Sequence, residues 1–536
     1  MKKTFLFGVC LVLLFWAAAA RAADVGPTYA IVNCKVVPVV GPVLEKGTIV
    51  IRDGRIEAVG LADKIVVPQD AEIIDGQGLT AYPGLIDACS QAFLEPAREE
   101  PASMGRGGQA QPPPAGPQGF TPEIQALKLL KPNKADRASL HRQGFTTALI
   151  APARGIFAGQ SVLINLNGDR TEAMVIRQPV ALHIQFVTER NVYPSSLMGT
   201  MASLRQSFLD AADYAQRQAA WNGSPRRFKR PVYDPFLETL LPYVMDKKPI
   251  IFACANQEDI KRAVRLAEEF KLNAMLAGAS EAWRVVGEVK KARLPLLLSL
   301  SFKPPLTSLY ANQGDAQKKK AEEEIYPANA AALAKAGISF SLTSFGLSKT
   351  DDVLKNVQAA IKAGLPPDEA LRALTINPAR TLGVEASLGS LEPGKIANII
   401  LASGEIFGDK TQLEKVFVDG QLFKVEKAPP PAGPATSPAG SWQGKIIGSM
   451  GEMDMSLELE QQGSQVTGAA TVMGNKRDIS DGTLSGNSLS FNIQTEIMGQ
   501  SMSFSFQGTV EKDFIEGALA FPMGSANVRL TRVPKD

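Results

Sequence analysis

From Tyr82-Pro83-Gly84 onward the chain repeats one pattern, in which short apolar runs of strand length alternate with helical stretches. Parallel strands joined by crossover helices produce that pattern. The candidate strands are 147–150, 162–165, 181–186, 250–253, 274–276, 296–300 and 339–342, and helices are expected at 257–270, 281–291 and 367–373. A region of about 300 residues built this way suits a (β/α)8 barrel, which takes about 250 before insertions. The fold class is therefore α/β, with a TIM-like barrel over 83–384.

The flanks differ from the barrel region. Residues 23–82 read as β structure, with Asp53-Gly54 supplying the positive-φ pair of a tight hairpin. Residues 385–427 return to β signals, so both ends of the barrel region are expected to build one small β-sandwich. Residues 96–120, rich in Pro, Gly and Gln, read as a flexible loop after the first barrel strand, and 428–440, with Pro429-Pro430-Pro431, as a linker. Residues 441–536 alternate in short strands punctuated by Gly, Asn and Asp, the pattern of a separate all-β barrel or sandwich.

Lys2 and Lys3 precede an apolar run to Ala20, and Ala20-Arg21-Ala22 supplies small residues for cleavage, so 1–22 reads as a signal peptide. The mature chain is expected to be exported from a bacterial cell, periplasmic or secreted, without a membrane span. Removing Lys2, Lys3 and Arg21 takes the formal charge from +3 to zero. A neutral chain offers no global field for nucleic acid. Cys34, Cys89 and Cys254 then remain, which excludes a disulfide scaffold and favours small buried thiols. There are two histidines in all, His141 and His183. His183 falls in a strand-like run and reads as structural, whereas His141 falls in a helix-like stretch at 134–143 and reads as surface. The Lys318–Lys320 and Glu322–Glu324 run reads as a solvated helix face.

Pro83-Gly84-Leu85-Ile86-Asp87 after the Asp53-Gly54-Arg55-Ile56 hairpin resembles the start of the barrel in the amidohydrolase superfamily. Asn377-Pro378-Ala379-Arg380, then 388–398 and Val416-Phe417-Val418-Asp419-Gly420, resemble that family's exit from the barrel. The likeness spans roughly residues 29 to 425. Gly159-Gln160-Ser161, 203–206, Asp259-Ile260 and 278–283 resemble the imidazolonepropionase-like branch. The resemblance implies hydrolysis of non-peptide C–N bonds, with zinc or another divalent metal activating water at the C-terminal ends of barrel strands.

The positions where that resemblance implies metal ligands hold Cys89 and Gln91 on the first strand, Ala253 on the fifth, Gly278 on the sixth, and Ser344 in place of the last-strand aspartate. Two histidines cannot supply the family's usual four. A catalytic zinc needs about three protein ligands and an open position. The sequence thus implies a pseudoenzyme without a cofactor that works as a binding or scaffolding protein for a small molecule or protein partner. The competing reading is an active hydrolase using an altered, metal-independent site near Cys89, with Cys89 and Cys254 as thiol candidates and a disulfide between them across the barrel as one arrangement. A passive subunit beside an active relative and a homo-oligomer are also open.

The C-terminal region, from Trp442-Gln443-Gly444 to 528–533, resembles lipocalin-like barrels. Such barrels can enclose a small apolar ligand. Met453, Met455, Met473, Met498, Met502 and Met523 read as core before they read as a ligand box.

Overall fold

The computed structural model describes residues 26–94, 119–152, 154–188, 193–305, 308–310, 313–347, 350–425, 437–448, 451–472, 474–485, 487–497, 500–521 and 524–533. The expected signal peptide, residues 96–118 of the expected loop and residues 428–436 of the expected linker lie outside them. Contacts divide the chain into two compact units, 1–426 and 427–536. Among the described residues no helix is long and apolar enough to cross a membrane.

The first unit opens with strands Tyr29–Val36 (β1), Leu44–Arg52 (β2), Arg55–Leu61 (β3), Glu72–Asp75 (β4) and Thr80–Pro83 (β5). Asp53 and Gly54, at φ of 49° and 73°, make the tight β2–β3 turn that the Asp-Gly pair requires. Strands Ile399–Ala402 (β16), Leu413–Val418 (β17) and Gln421–Lys424 (β18) return from the far side of the barrel region and pair onto β5 through β16. The result is one hydrogen-bonded eight-stranded sheet rather than two separate ones. Tyr29 of β1 meets Phe417 of β17, three strands along the path, with ring centroids 5.4 Å apart. The sheet therefore curls over its own apolar face, and Ile31, Ile49, Ile51, Ile399 and Phe417 fill the fold.

The barrel staves are Leu85–Ser90 (β6), Phe145–Ile150 (β7), Phe157–Gln160 (β8) with Val162–Asn165 (β9), Leu182–Gln185 (β11), Ile250–Cys254 (β12), Ala274–Gly278 (β13), Leu296–Ser299 (β14) and Phe340–Thr343 (β15); the short Val175–Arg177 (β10) pairs on β9 outside the ring. Neighbours from β11 to β15 are parallel, as are β6 and β7. The third stave is not. Only Ser161 separates β8 from β9, and this bent strand runs antiparallel to β7 on one side and to β11 on the other. Antiparallel partners need only a short turn, which is why the expected crossover helix is missing there.

Side-chain alternation builds two layers. Ile86, Leu149, Leu163, Ile251, Met275 and Leu297 fill the barrel interior, while Leu85, Ala148, Ile164, Ile250, Leu276 and Leu298 pack outward with the surrounding helices. Helix Gln257–Phe270 starts where the sequence places it because Asn256 accepts hydrogen bonds from the Glu258 and Asp259 amides at 2.9 and 3.0 Å. The stretch expected as one helix over 281–291 is broken, with a 3-10 turn at Ala282–Arg284 and an α-helix at Val286–Ala292. Phe120, expected in the flexible loop, is anchored instead, with its ring 5.2 Å from that of Phe157.

The second unit is a closed antiparallel barrel of Gly440–Gly448 (β19), Gly451–Gln462 (β20), Gln465–Val472 (β21), Asn475–Ser485 (β22), Ser488–Ile497 (β23), Gln500–Val510 (β24), Phe514–Phe521 (β25) and Gly524–Arg532 (β26). Its own side chains fill it. Trp442, Leu457, Phe491, Phe506, Val528 and Leu530 are buried, with Phe491 and Phe506 stacked at 4.7 Å. Met455 belongs to that core and Met453 packs partly buried against it, while Met473, Met498, Met523 and the Met502 side chain lie outside the described residues. The stretch Ser437–Ala439, expected as linker, is tied to this barrel: Trp442 donates Nε1–H to the Pro438 carbonyl at 2.8 Å, and Arg532 donates to the Ala439 and Ser437 carbonyls at 2.8 and 2.6 Å.

Candidate functional site

In a barrel of parallel strands the functional face is the one at the strands' C-terminal ends. Here Asp87, a residue of the Pro83–Asp87 string, organises the seam between first and last staves. Its Oδ1 accepts from Thr343 Oγ1 at 2.8 Å, from the Ser344 amide at 3.0 Å and from the Cys89 amide at 3.3 Å, and Oδ2 takes the Ser344 hydroxyl. Thr343 Oγ1 also meets the Cys89 carbonyl, and Ser344 Oγ lies 3.3 Å from Ser90 Oγ. Asp87 is fully buried, and that burial raises its pKa above the ordinary carboxylate range despite the donors around it. These contacts close the ring between β15 and β6. Above them lies a cavity of about 210 Å³ lined by Ser90, Gln91, Phe93, Asp136, Ser344, Phe345 and Thr350.

The five positions singled out in the sequence are only partly gathered. Cys89 and Ser344 share the Asp87 seam, Gln91 lies exposed at the cavity, and Ala253 is half-buried on β12. Gly278, at the end of β13, has φ +88°, and a Cβ built on it would sit 2.6 Å from the Cys254 carbonyl oxygen. On that backbone a side chain, an imidazole included, is strained and would force the turn to shift. Among the described residues no group of three or more His, Cys, Asp or Glu is placed to hold a metal ion. A neutral amide, a hydroxyl and a buried thiol are a poor donor set for zinc. The residues do not fit the divalent metal that the family resemblance implies.

The thiols are also poorly suited to chemistry. Cys89 is fully buried, and burial followed by the nearby Asp87 charge pushes its pKa well above the ordinary thiol value. Cys254 is raised likewise, first by burial and then by Asp259. Cys34, Cys89 and Cys254 are all free. The Cys89–Cys254 disulfide is excluded by strand alternation, because Cys254 belongs to the outward layer with Phe252 and Cys89 to the interior one. We expect none of the three to react with a chromogenic disulfide reagent in the native protein and all three to react after unfolding without reduction. A thiol count that rises only after reduction would contradict this arrangement.

His141 is not on the surface. It is buried, places Nε2 3.0 Å from the Leu166 carbonyl, packs on Phe423 at 4.8 Å, and is pushed down to about 4 chiefly by burial. The alternation that buried it was hidden because its partner Phe423 lies on β18, far along the chain. His183 faces the barrel interior between Gly159 and Ile251, is pushed down to about 3 by burial, and has an unpartnered Nε2. It supports packing as expected and shares no hydrogen bond with Cys89. Sequence reasoning missed the role of Asp87, although the residue stood inside the quoted string.

An eight-stave α/β barrel joined to a sheet from both chain ends, with its candidate site at the strands' C-terminal face, defines a TIM-barrel scaffold with an appended sheet. The amidohydrolase family profile matches residues 315–423. Imidazolonepropionase of Symbiobacterium thermophilum is 24% identical over 401 residues, covering 67% of this chain and 84% of that protein. Adenine deaminase 2 of Jannaschia sp. is 40% identical over 67 residues, 12% of this chain and 10% of that one. The crystal structure of an amidohydrolase from Thermotoga maritima superposes with a TM-score of 0.61 at 26% identity, covering 74% of this chain and all of that one. These likenesses support an amidohydrolase-superfamily chain of the imidazolonepropionase-like kind.

Proposed function

We propose that this protein binds a small molecule at the C-terminal face of its barrel and carries out no metal-assisted hydrolysis. The observation that carries this reading is Gly278, which has no side chain, and whose backbone would be strained by one, at a position where the superfamily resemblance implies a ligand. Cys89, Gln91, Ala253 and Ser344 at the other positions support it, as does the polar cavity beside Ser90 and Ser344. The fold persists because interior packing and the mouth are specified by different residues. Lys2, Lys3 and the apolar run after them support a binding event outside the cytoplasm.

The test is elemental analysis of protein purified without chelators. Zinc, iron and manganese are expected well below one equivalent per chain, and added zinc is expected to leave the melting temperature unchanged. One tightly bound ion per chain, lost on dialysis against a chelator, would overturn the proposal.

A further inference from the structure

The turn that leaves β13 displays donors without acceptors. Gly278 and Ala279 take φ of +88° and +46°, and the Ala279 amide donates to the Cys254 carbonyl at 2.8 Å. Asn329 fixes both sides of this turn, accepting from the Trp283 amide at 3.0 Å and donating Nδ2 to the Ala279 carbonyl at 3.1 Å. Glu281 is buried and engaged at both oxygens, by Tyr326 Oη–H at 3.0 Å and the Gln257 amide at 3.1 Å. Arg284 lies between two aromatic faces, its Cζ 4.2 Å from the Trp283 ring and 5.2 Å from that of Tyr310. Its Nε and Nη2, the two donors on one edge of the guanidinium, are buried with no hydrogen-bond partner, and so is Trp283 Nε1. Glu281 Oε1 stands 3.9 Å from Nε, an ion pair too long to be a hydrogen bond.

Buried donors are nearly always satisfied, so three orphans on consecutive residues mark a missing acceptor. We propose that Arg284 and Trp283 form a carboxylate-recognition subsite for the small molecule bound at this face. The inference rests on the binding reading above and adds the chemistry of the ligand. A guanidinium edge matches the two oxygens of a carboxylate, and the aromatic faces hold that edge in place before the ligand arrives. Glu281, close by, favours a monoanion over a doubly charged phosphate through like-charge repulsion. The subsite sits on the loop following a barrel strand, where barrels place ligands. It occupies the same turn as Gly278, where the family resemblance implies a metal ligand.

The probe is acetate, titrated into the full chain labelled with 5-fluorotryptophan and followed by 19F NMR at constant ionic strength. The Trp283 resonance is identified by its loss in Trp283→Phe. It is expected to shift saturably at millimolar acetate and to ignore phosphate. Arg284→Lys keeps the charge but loses the edge, and is expected to weaken acetate at least about tenfold. Should Arg284→Lys not fold, thermal protection by acetate is compared between wild type and Trp283→Phe, which is expected to lose at least half of it. No saturable Trp283 shift, tighter binding of phosphate than acetate, unchanged affinity in Arg284→Lys, or full protection of Trp283→Phe would each overturn the subsite. A bound metal would overturn the function proposed above while leaving this readout intact, so the two failures are separable.

Discussion

Asp87→Ala is expected to destabilise the first unit by about 3–5 kcal/mol, the range for breaking a buried polar network. The substitution removes the acceptor of four donors at once and leaves Thr343 Oγ1, Ser344 Oγ and two amides facing a void where β6 and β15 meet. Urea unfolding followed by far-ultraviolet circular dichroism reads the effect, and a loss below about 1 kcal/mol, the worth of one ordinary hydrogen bond, would show the seam to be dispensable. Asp87→Asn carries the pH dependence. Because the folded pKa of Asp87 is raised, its contribution to stability is fully present below the unfolded carboxyl value and lost as pH rises through the folded one. Asparagine stays neutral throughout. The wild type's advantage over Asp87→Asn is therefore expected to shrink as pH rises above the ordinary carboxylate range; a growing advantage would reverse the sign of the argument.

Trp442→Ala is expected to cost the second unit about 3–5 kcal/mol, as removal of a large buried aromatic does. Trp442 is 0% exposed, bonds the Pro438 carbonyl, and carries the Arg532 guanidinium 4.1 Å above its ring. Arg532 in turn donates to three carbonyls, of Lys512, Ala439 and Ser437, and closes that end of the barrel. Since the two units have separate cores, calorimetry should show one transition moving and the other unchanged. Equal movement of both transitions would mean that the units unfold together.

Periodicity reveals local structure well in this chain. The Asp53-Gly54 hairpin, the helix after Asn256 and the buried strands from Ile250 to Thr343 follow from composition within a few residues of each. What sequence concealed depends on partners distant in the chain. Nothing in Phe157–Asn165 marks it as antiparallel, because a four-residue apolar run has the same appearance in either direction. His141 looked solvent-facing until Phe423 came to lie against it. In the site, the residue identities at 89, 91, 253, 278 and 344 were legible from the sequence. The steric closure at Gly278 and the orphan edge of Arg284 were not, because both are properties of backbone angle and of atoms brought from elsewhere.

Strand β5 pairs with β16, Pro83 against Ile399, across more than half of the chain. At roughly 5–20 residues per second, a ribosome needs on the order of 15–60 s to reach the partner after making β5. Throughout that interval the strand preceding the barrel presents unpaired amides and carbonyls, an open template for another nascent copy. The yield of this protein is thus expected to depend on synthesis speed and on whatever holds the unfinished chain apart from its neighbours. Slowing translation downstream of Pro83 should raise aggregation, whereas slowing it after Val418 should not.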